Sequence, residues 1–242
     1  MHRAENIQGY MHQASARVVR RMEQVSVMNP SIRRLCIAAL MGLPGLLMGL
    51  DLQAETLADG LAHETRAWTQ GSYVLPEPER EAFFARLQGE AQDLSRHYPD
   101  QADPLVWEGI ITATHAKYQN PFSALGTVRL ARDVLLRAVA IDPSAMDGSG
   151  LITLGALYFR VPKFASFGDD DKARNYLQQA LKVDPDNIDA NFFYGKFLLE
   201  QGDKVDARIY LEKVIDVPPR PQSIEADRAR QTEARDLLSQ AL

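Results

Sequence analysis

Residues 154–219 read LGALYFRVPKFASFGDDDKARNYLQQALKVDPDNIDANFFYGKFLLEQGDKVDARIYLEKVIDVPP. Gly195, Ala207, Leu211 and Pro219 follow one another at offsets of 12, 4 and 8, and Ala173, Leu177 and Pro185 repeat the 4 and the 8. Pro185 and Pro219 are 34 residues apart. The pattern predicts two antiparallel helices per unit. Gly155 and Gly195 in the first helix and Ala173 and Ala207 in the second sit where the two must approach closely. Leu154 and Tyr158, and likewise Ala173 and Leu177, lie i, i+4 on one helical face. The Pro follows the second helix, where its missing N–H costs little.

Gly, Ala, a large apolar residue and Pro at this period form the tetratricopeptide signature. No such unit buries its apolar face alone, so the units must stack. The expected fold is all-α, a tetratricopeptide (TPR) helical-hairpin solenoid with two long inter-helix inserts and a C-terminal capping helix.

Working outward, residues 149–185 and 188–219 are the two units just read. Residues 103–143 form the unit before them, with Leu105, Trp107 and Gly109 in its first helix and Ala131, Leu135, Ala138 and Pro143 closing its second. Residues 79–99 supply the second helix of an incomplete first repeat, striped by Phe83, Phe84, Leu87, Ala91 and Leu94. The repeat array thus covers 79–222, preceded by a helical segment at 55–78. Residues 223–242 read as a capping helix with a sparse apolar side of Ile224, Leu237, Leu238 and Leu242. From Pro99 to Pro219 the Pro-to-Pro distances are 44, 42 and 34. The surplus predicts one insert near Lys117–Thr127 and another at Arg160–Asp170.

Upstream, Asn29-Pro-Ser-Ile-Arg-Arg34 precedes an apolar run from Leu35 to Leu50 and then Asp-Leu-Gln-Ala54. A basic start, an apolar middle and a small residue at the cut describe a signal peptide over 28–54, with cleavage near Ala54. Gly42, Pro44, Gly45 and Gly49 break the run, which is short for a membrane span. An uncleaved anchor helix is the competing reading. Residues 1–27 read as an extension ahead of a start at Met28. The expected location is periplasmic, with no membrane span in the mature chain.

The chain of 242 residues carries 27 Lys and Arg against 32 Asp and Glu, a net charge of −5. Residues 1–54 hold six Arg and three acids, so the remainder is about −8. An acidic chain without basic clusters is a poor nucleic-acid binder, because that affinity rests on cations neutralising phosphates. A single Cys excludes an internal disulfide framework.

No H-E-x-x-H, G-x-S-x-G or phosphate-loop pattern occurs. His63, His97 and His115 fall in three segments, and Gly148-Ser149-Gly150 reads as the turn into a helix. Asp184, Asp186 and Asp189 mark the inter-repeat turn rather than a calcium loop, since Ile188 stands at the fifth position. The chain is therefore expected to be no enzyme, with no metal and no cofactor. Within the array, first-helix offsets turn Val106, Ile110, Ile152, Phe159, Phe192 and Lys196 toward a concave groove suited to an extended peptide or partner helix. Tyr118, Phe122, Phe164 and Phe167 are aromatics in the inserts. They either fold back as core or line a cleft. Asp169, Asp170 and Asp171 are either helix-start acids or an acidic lip.

The block Leu151–Ala173 carries more than the repeat. A Gly-x-Leu-Tyr helix at Gly155–Tyr158, the Pro162 insert and Gly168-Asp169 before Ala173 resemble periplasmic tetratricopeptide proteins related to the T-component of TRAP transporters. Trp107-Glu-Gly-Ile110 and Pro218-Pro-Arg-Pro221 look like the same group. The resemblance covers about residues 98–242. It implies an exported all-helical protein that docks a transport-associated binding protein and holds a small apolar ligand, with assembly into a homo-oligomer. The chain departs from the family in lacking a lipobox Cys. The function expected from the whole is a scaffold or adaptor in the cell envelope. The alternative is a module that encloses a small apolar ligand with the insert aromatics.

Overall fold

The computed structural model describes residues 57–221 and 223–241. The signal peptide, its cleavage point, the 1–27 extension and Leu242 lie outside the described residues. Among the described residues all regular structure is helical. Helix α1 covers 57–69 and runs on into a π-helical turn, Gln70–Val74. There follow α2 (Glu77–His97), α3 (Ala102–Tyr118), α4 (Pro121–Ile141), α5 (Ala145–Arg160), α6 (Asp170–Val183), α7 (Ile188–Glu200), α8 (Lys204–Asp216) and α9 (Ile224–Ala241).

Helix starts are written in polar residues. The Asn120 side chain accepts from Phe122 N and Ser123 N, both at 3.1 Å, at the head of α4. Asp169 accepts from Lys172 N (3.1 Å) at α6 and Asp203 from Asp206 N (3.3 Å) at α8. These oxygens satisfy donors that the first turn leaves free. The cap of α7 is Asn187, bonded to Ala190 N at 3.1 Å, rather than one of the neighbouring acids. Asp184 instead closes the turn onto Asp186 N (3.0 Å).

The helices pack as α3/α4, α5/α6 and α7/α8 hairpins, each leaning on the next. The repeat residues fall at the crossings. Gly155 lies where a Cβ would stand 2.5 Å from Leu177 Cγ, and Gly195 where it would stand 2.9 Å from Leu211 Cγ. One continuous cluster joins Ala131, Leu135, Leu154, Tyr158, Ala173, Leu177, Phe197 and Ala207 across all three hairpins. That continuity makes this a tetratricopeptide-type solenoid rather than separate helix pairs.

The first repeat is more complete than its sequence suggests. Helix α1 folds back on α2, with His63 Nε2 3.0 Å from Glu90 and Gly60 against Leu94. Its Trp68 Nε1–H donates to Thr114 Oγ1 of α3 at 2.9 Å. The first expected insert is also different: α3 continues to Tyr118 and α4 begins at Pro121. The surplus residues lengthen the helices, to 21 in α4 against 13 in α8. The Asn120-Pro121 pair explains this, since a cap followed by Pro at the first position starts a helix early.

The second insert is a true connection. Asp169 N donates to Tyr158 O (2.9 Å), Ser166 N donates to Pro162 O (3.0 Å), and Gly168 lies against Val161 O with no room for a Cβ. Between α4 and α5, Met146, Asp147 and Gly148 take φ of 50°, 55° and 77° in succession. Regular helix resumes at Ser149, as the Gly-Ser-Gly turn predicts.

Candidate partner groove and inserts

The solenoid does not leave all six expected groove residues open. Val106, Ile152 and Phe192 are buried, and this corrects their assignment. The reason is stacking. Val106 is covered by Ala145 and Met146 at the start of the next hairpin, and Ile152 packs with Ala190 and Phe193. Phe192 is closed in by Ile188, Leu211, Val214 and Ala234, the last from α9. Ile110, Phe159 and Lys196 remain half-buried on successive first helices, with Arg160 and Glu200 exposed beside them. This stripe is the candidate groove.

Lys196 has no ion pair among the described residues. Its ammonium stands 5.6 Å from the Phe192 ring centroid. Burial, then the Arg160 charge, holds its pKa below the usual lysine range. At the C-terminal end Arg230 Nε meets Asp189 Oδ1 (3.0 Å) and Arg220 Nη2 meets Asp189 Oδ2 (2.9 Å). Arg220 is also bonded to buried Asp227 at 2.6 Å. The Arg230 guanidinium lies over Phe192 (4.5 Å) and Phe193 (4.8 Å). Burial works against the Asp189 carboxylate, but Arg230 and Arg220 outweigh it and hold its pKa below the ordinary value. The Tyr73 phenol, at the end of α1, has its pKa raised by burial and feels the charges of Arg230, Asp189, Glu233 and Asp227.

The insert aromatics do not gather around one volume. Tyr118 of α3 stacks on Phe84 of α2 (5.5 Å, 11°), where the second hairpin leans on the first. Phe167 meets Tyr158 edge-on at 5.3 Å and carries Arg132 over its face at 4.6 Å. Phe122 and Phe164 stand almost wholly in solvent. An enclosed apolar pocket built from these four is not what the fold makes. Beside the second insert is an open hollow of about 370 Å³, lined by Lys163, Asp169, Asp170, Asp171, Arg174 and Gln201 with Phe197, and its walls are mostly polar. Asp169 is used as a cap, and its carboxyl is held below the usual range chiefly by Lys172 N–H. Asp170 is held by Lys163 (2.7 Å) and Gln201 (3.2 Å).

Sequence reasoning missed the Asp189–Arg220–Asp227–Arg230 network. Its one visible trace was an Arg between prolines, Pro219-Arg220-Pro221. It also missed Glu64 of α1. That carboxyl is 2% exposed and neither oxygen meets a protein hydrogen-bond partner. Burial, then Glu108 and Glu90, pushes its pKa up to about 8. Glu108 is buried too and accepts from Ser95 Oγ at 2.6 Å. Among the described residues no group of three or more His, Cys, Asp or Glu is placed to hold a metal ion.

The hairpins, their Gly–Leu crossings and their continuous core define a class, the helical-repeat solenoids. A tetratricopeptide-repeat family model matches residues 165–230, so the chain contains tetratricopeptide repeats. No curated protein matches the chain. The match carries the repeat and not the narrower T-component likeness.

Proposed function

We propose that the chain is a non-enzymatic, exported scaffold or adaptor that binds another protein through its concave face. One observation carries this reading. Three successive first helices each leave half-buried residues after the repeat Gly, with Ile110 and Lys196 one residue after it and Phe159 four after it, and with Arg160 and Glu200 exposed five after it. Apolar residues bordered by charge suit an extended segment or an amphipathic helix. Tetratricopeptide repeats in general mediate protein–protein interaction, which agrees with this use. Export rests on the Arg33-Arg34 start, the Leu35–Leu50 run and the cut near Ala54. Partnership with a transport-associated binding protein rests on the resemblance of Leu151–Ala173, and a homo-oligomer on the same resemblance.

Affinity capture from solubilised envelope tests the reading. The parent chain should retain a partner that a Phe159→Ala, Lys196→Ala variant loses while it stays folded, and a Lys196→Glu variant, which spares the Phe159–Phe197 contact, should lose it too. Retention of the same partner by both would remove the stripe from the account.

A further inference from the structure

Along α1 the one buried side chain is a carboxyl. The larger apolar residues of this helix, Leu57, Leu61 and Trp68, are all half-buried, and Glu64 alone is closed off from solvent. Neither of its oxygens meets a hydrogen-bond partner in the protein. The charged groups that bear on it from the two helices beneath are both acids, Glu108 of α3 and Glu90 of α2. Glu108 is itself buried and accepts from Ser95 Oγ of α2 at 2.6 Å. Glu90 meets the one titratable neighbour on α1 itself, His63 Nε2, at 3.0 Å and in solvent. An ionised carboxylate at position 64 would therefore be desolvated, unpaired and repelled from two sides.

The rest of the attachment is light. Leu61, Ala67 and Trp68 lie on a cluster of Phe84, Leu87, Trp107 and Ile111, and Trp68 Nε1–H donates to Thr114 Oγ1 at 2.9 Å. At its C-terminal end the helix passes through the π-helical turn to Leu75, which is extended (φ −68°, ψ 138°), and then Pro76. Leu75 O accepts from Arg80 Nε of α2 at 2.9 Å, so this joint stays anchored to α2 whatever α1 does. The hairpins from α5 to α8, by contrast, cross on fully buried Leu177 and Leu211.

We propose that α1 is a proton-held latch: it docks on α2 and α3 while Glu64 carries its proton, and it opens about Leu75–Pro76 when that proton is lost, uncovering Trp107 and Phe84. The sign follows from the linkage. The docked form holds the proton up to about pH 8 and the open form releases it near the ordinary value of 4.5. Opening therefore becomes easier as pH climbs between those values and levels off above the higher one. The latch is separate from the partner reading and stands without it.

The test uses the full-length chain in detergent and follows hydrogen exchange by mass spectrometry between pH 5 and 9, with rates corrected for the intrinsic pH dependence of exchange. In the parent, protection of residues 57–74 should fall by up to about tenfold per pH unit between pH 5 and 8 and then level off, while α5 to α8 keep theirs. Glu64→Gln keeps the shape of the protonated side chain, and Glu64→Leu removes the titrating group. Each should hold the protection of 57–74 level across the range. If the Gln variant leaves α1 unprotected at every pH, the Leu variant decides by the same criterion. An equal fall in all three proteins overturns the proposal and assigns the response to the His63–Glu90 pair. Loss of protection in α5 to α8 in step with α1 overturns it too, since the whole fold is then responding. A parent whose 57–74 protection ignores pH does the same.

Discussion

Glu64 sets the pH response at the scale of one residue. Its carboxyl is buried without a partner, near Glu108 and Glu90, and its pKa is raised to about 8. A raised carboxyl pKa means the folded state holds its proton more tightly than the unfolded one. Its favourable share is therefore complete below the ordinary value of about 4.5 and is lost as pH rises through about 8. The slope is up to roughly 1.4 kcal/mol per pH unit across that window. Glu64→Gln should flatten the decline in stability between pH 5 and 8, as read by denaturant titration at each pH. An equal slope in both proteins would place the pH response elsewhere. At the α5/α6 crossing, Leu177 is fully buried against Gly155. Leu177→Ala should cost roughly 2–5 kcal/mol, measured as a lowered unfolding midpoint. Phe192→Ala should cost roughly 3–5 kcal/mol, also in stability, since Phe192 is closed in by α9. Repeat offsets made Leu177 legible as core. They could not show that Phe192 was covered, because the cover comes from a helix with a sparse apolar pattern.

Helix α9 shows what holds an element with few apolar residues. Its apolar contacts are Ala234, Leu237 and Leu238, and Asp227, Gln231 and Arg230 supply the rest. Gln231 Nε2 donates to Val217 O at 2.8 Å, and the Arg220–Asp227 pair fixes the Pro-rich entry. Removing one partner of a buried pair leaves the other charge uncompensated. Asp227→Ala should therefore destabilise by roughly 3 kcal/mol, and hydrogen exchange should show α9 opening before the hairpins. Global unfolding without early loss of α9 would refute this. Asp189 responds to acid in the opposite sense to Glu64. Its pKa is depressed, so its stabilisation is present above the ordinary value and is lost as pH falls through the folded one. The elements themselves were largely readable, because Gly, Ala, Leu and Pro at fixed offsets specify hairpins. The surplus near Lys117–Thr127 was readable as length but not as helix. A Pro-to-Pro distance counts residues without saying whether they coil or extend, and the Asn120 cap decided for helix.

For the whole molecule, the sequence specified a stack of hairpins, and the structure adds that one apolar cluster runs through α3 to α8. The way each hairpin leans on the next depends on many small packing angles, which no single repeat encodes. Export is the other claim at this scale. Intact-mass measurement of the envelope-resident protein should give a chain beginning near Glu55. A mass that retains Leu35–Leu50 would favour the uncleaved anchor.

The central claim is that the concave face holds a protein partner. Site-specific photocrosslinking in living cells tests it most directly, with the photoreactive residue placed in turn at Phe159, Lys196 and the outer, exposed Ile209. The account predicts one discrete adduct from positions 159 and 196 and none from 209. Adducts from 209 alone, or the same faint pattern from all three, would contradict it.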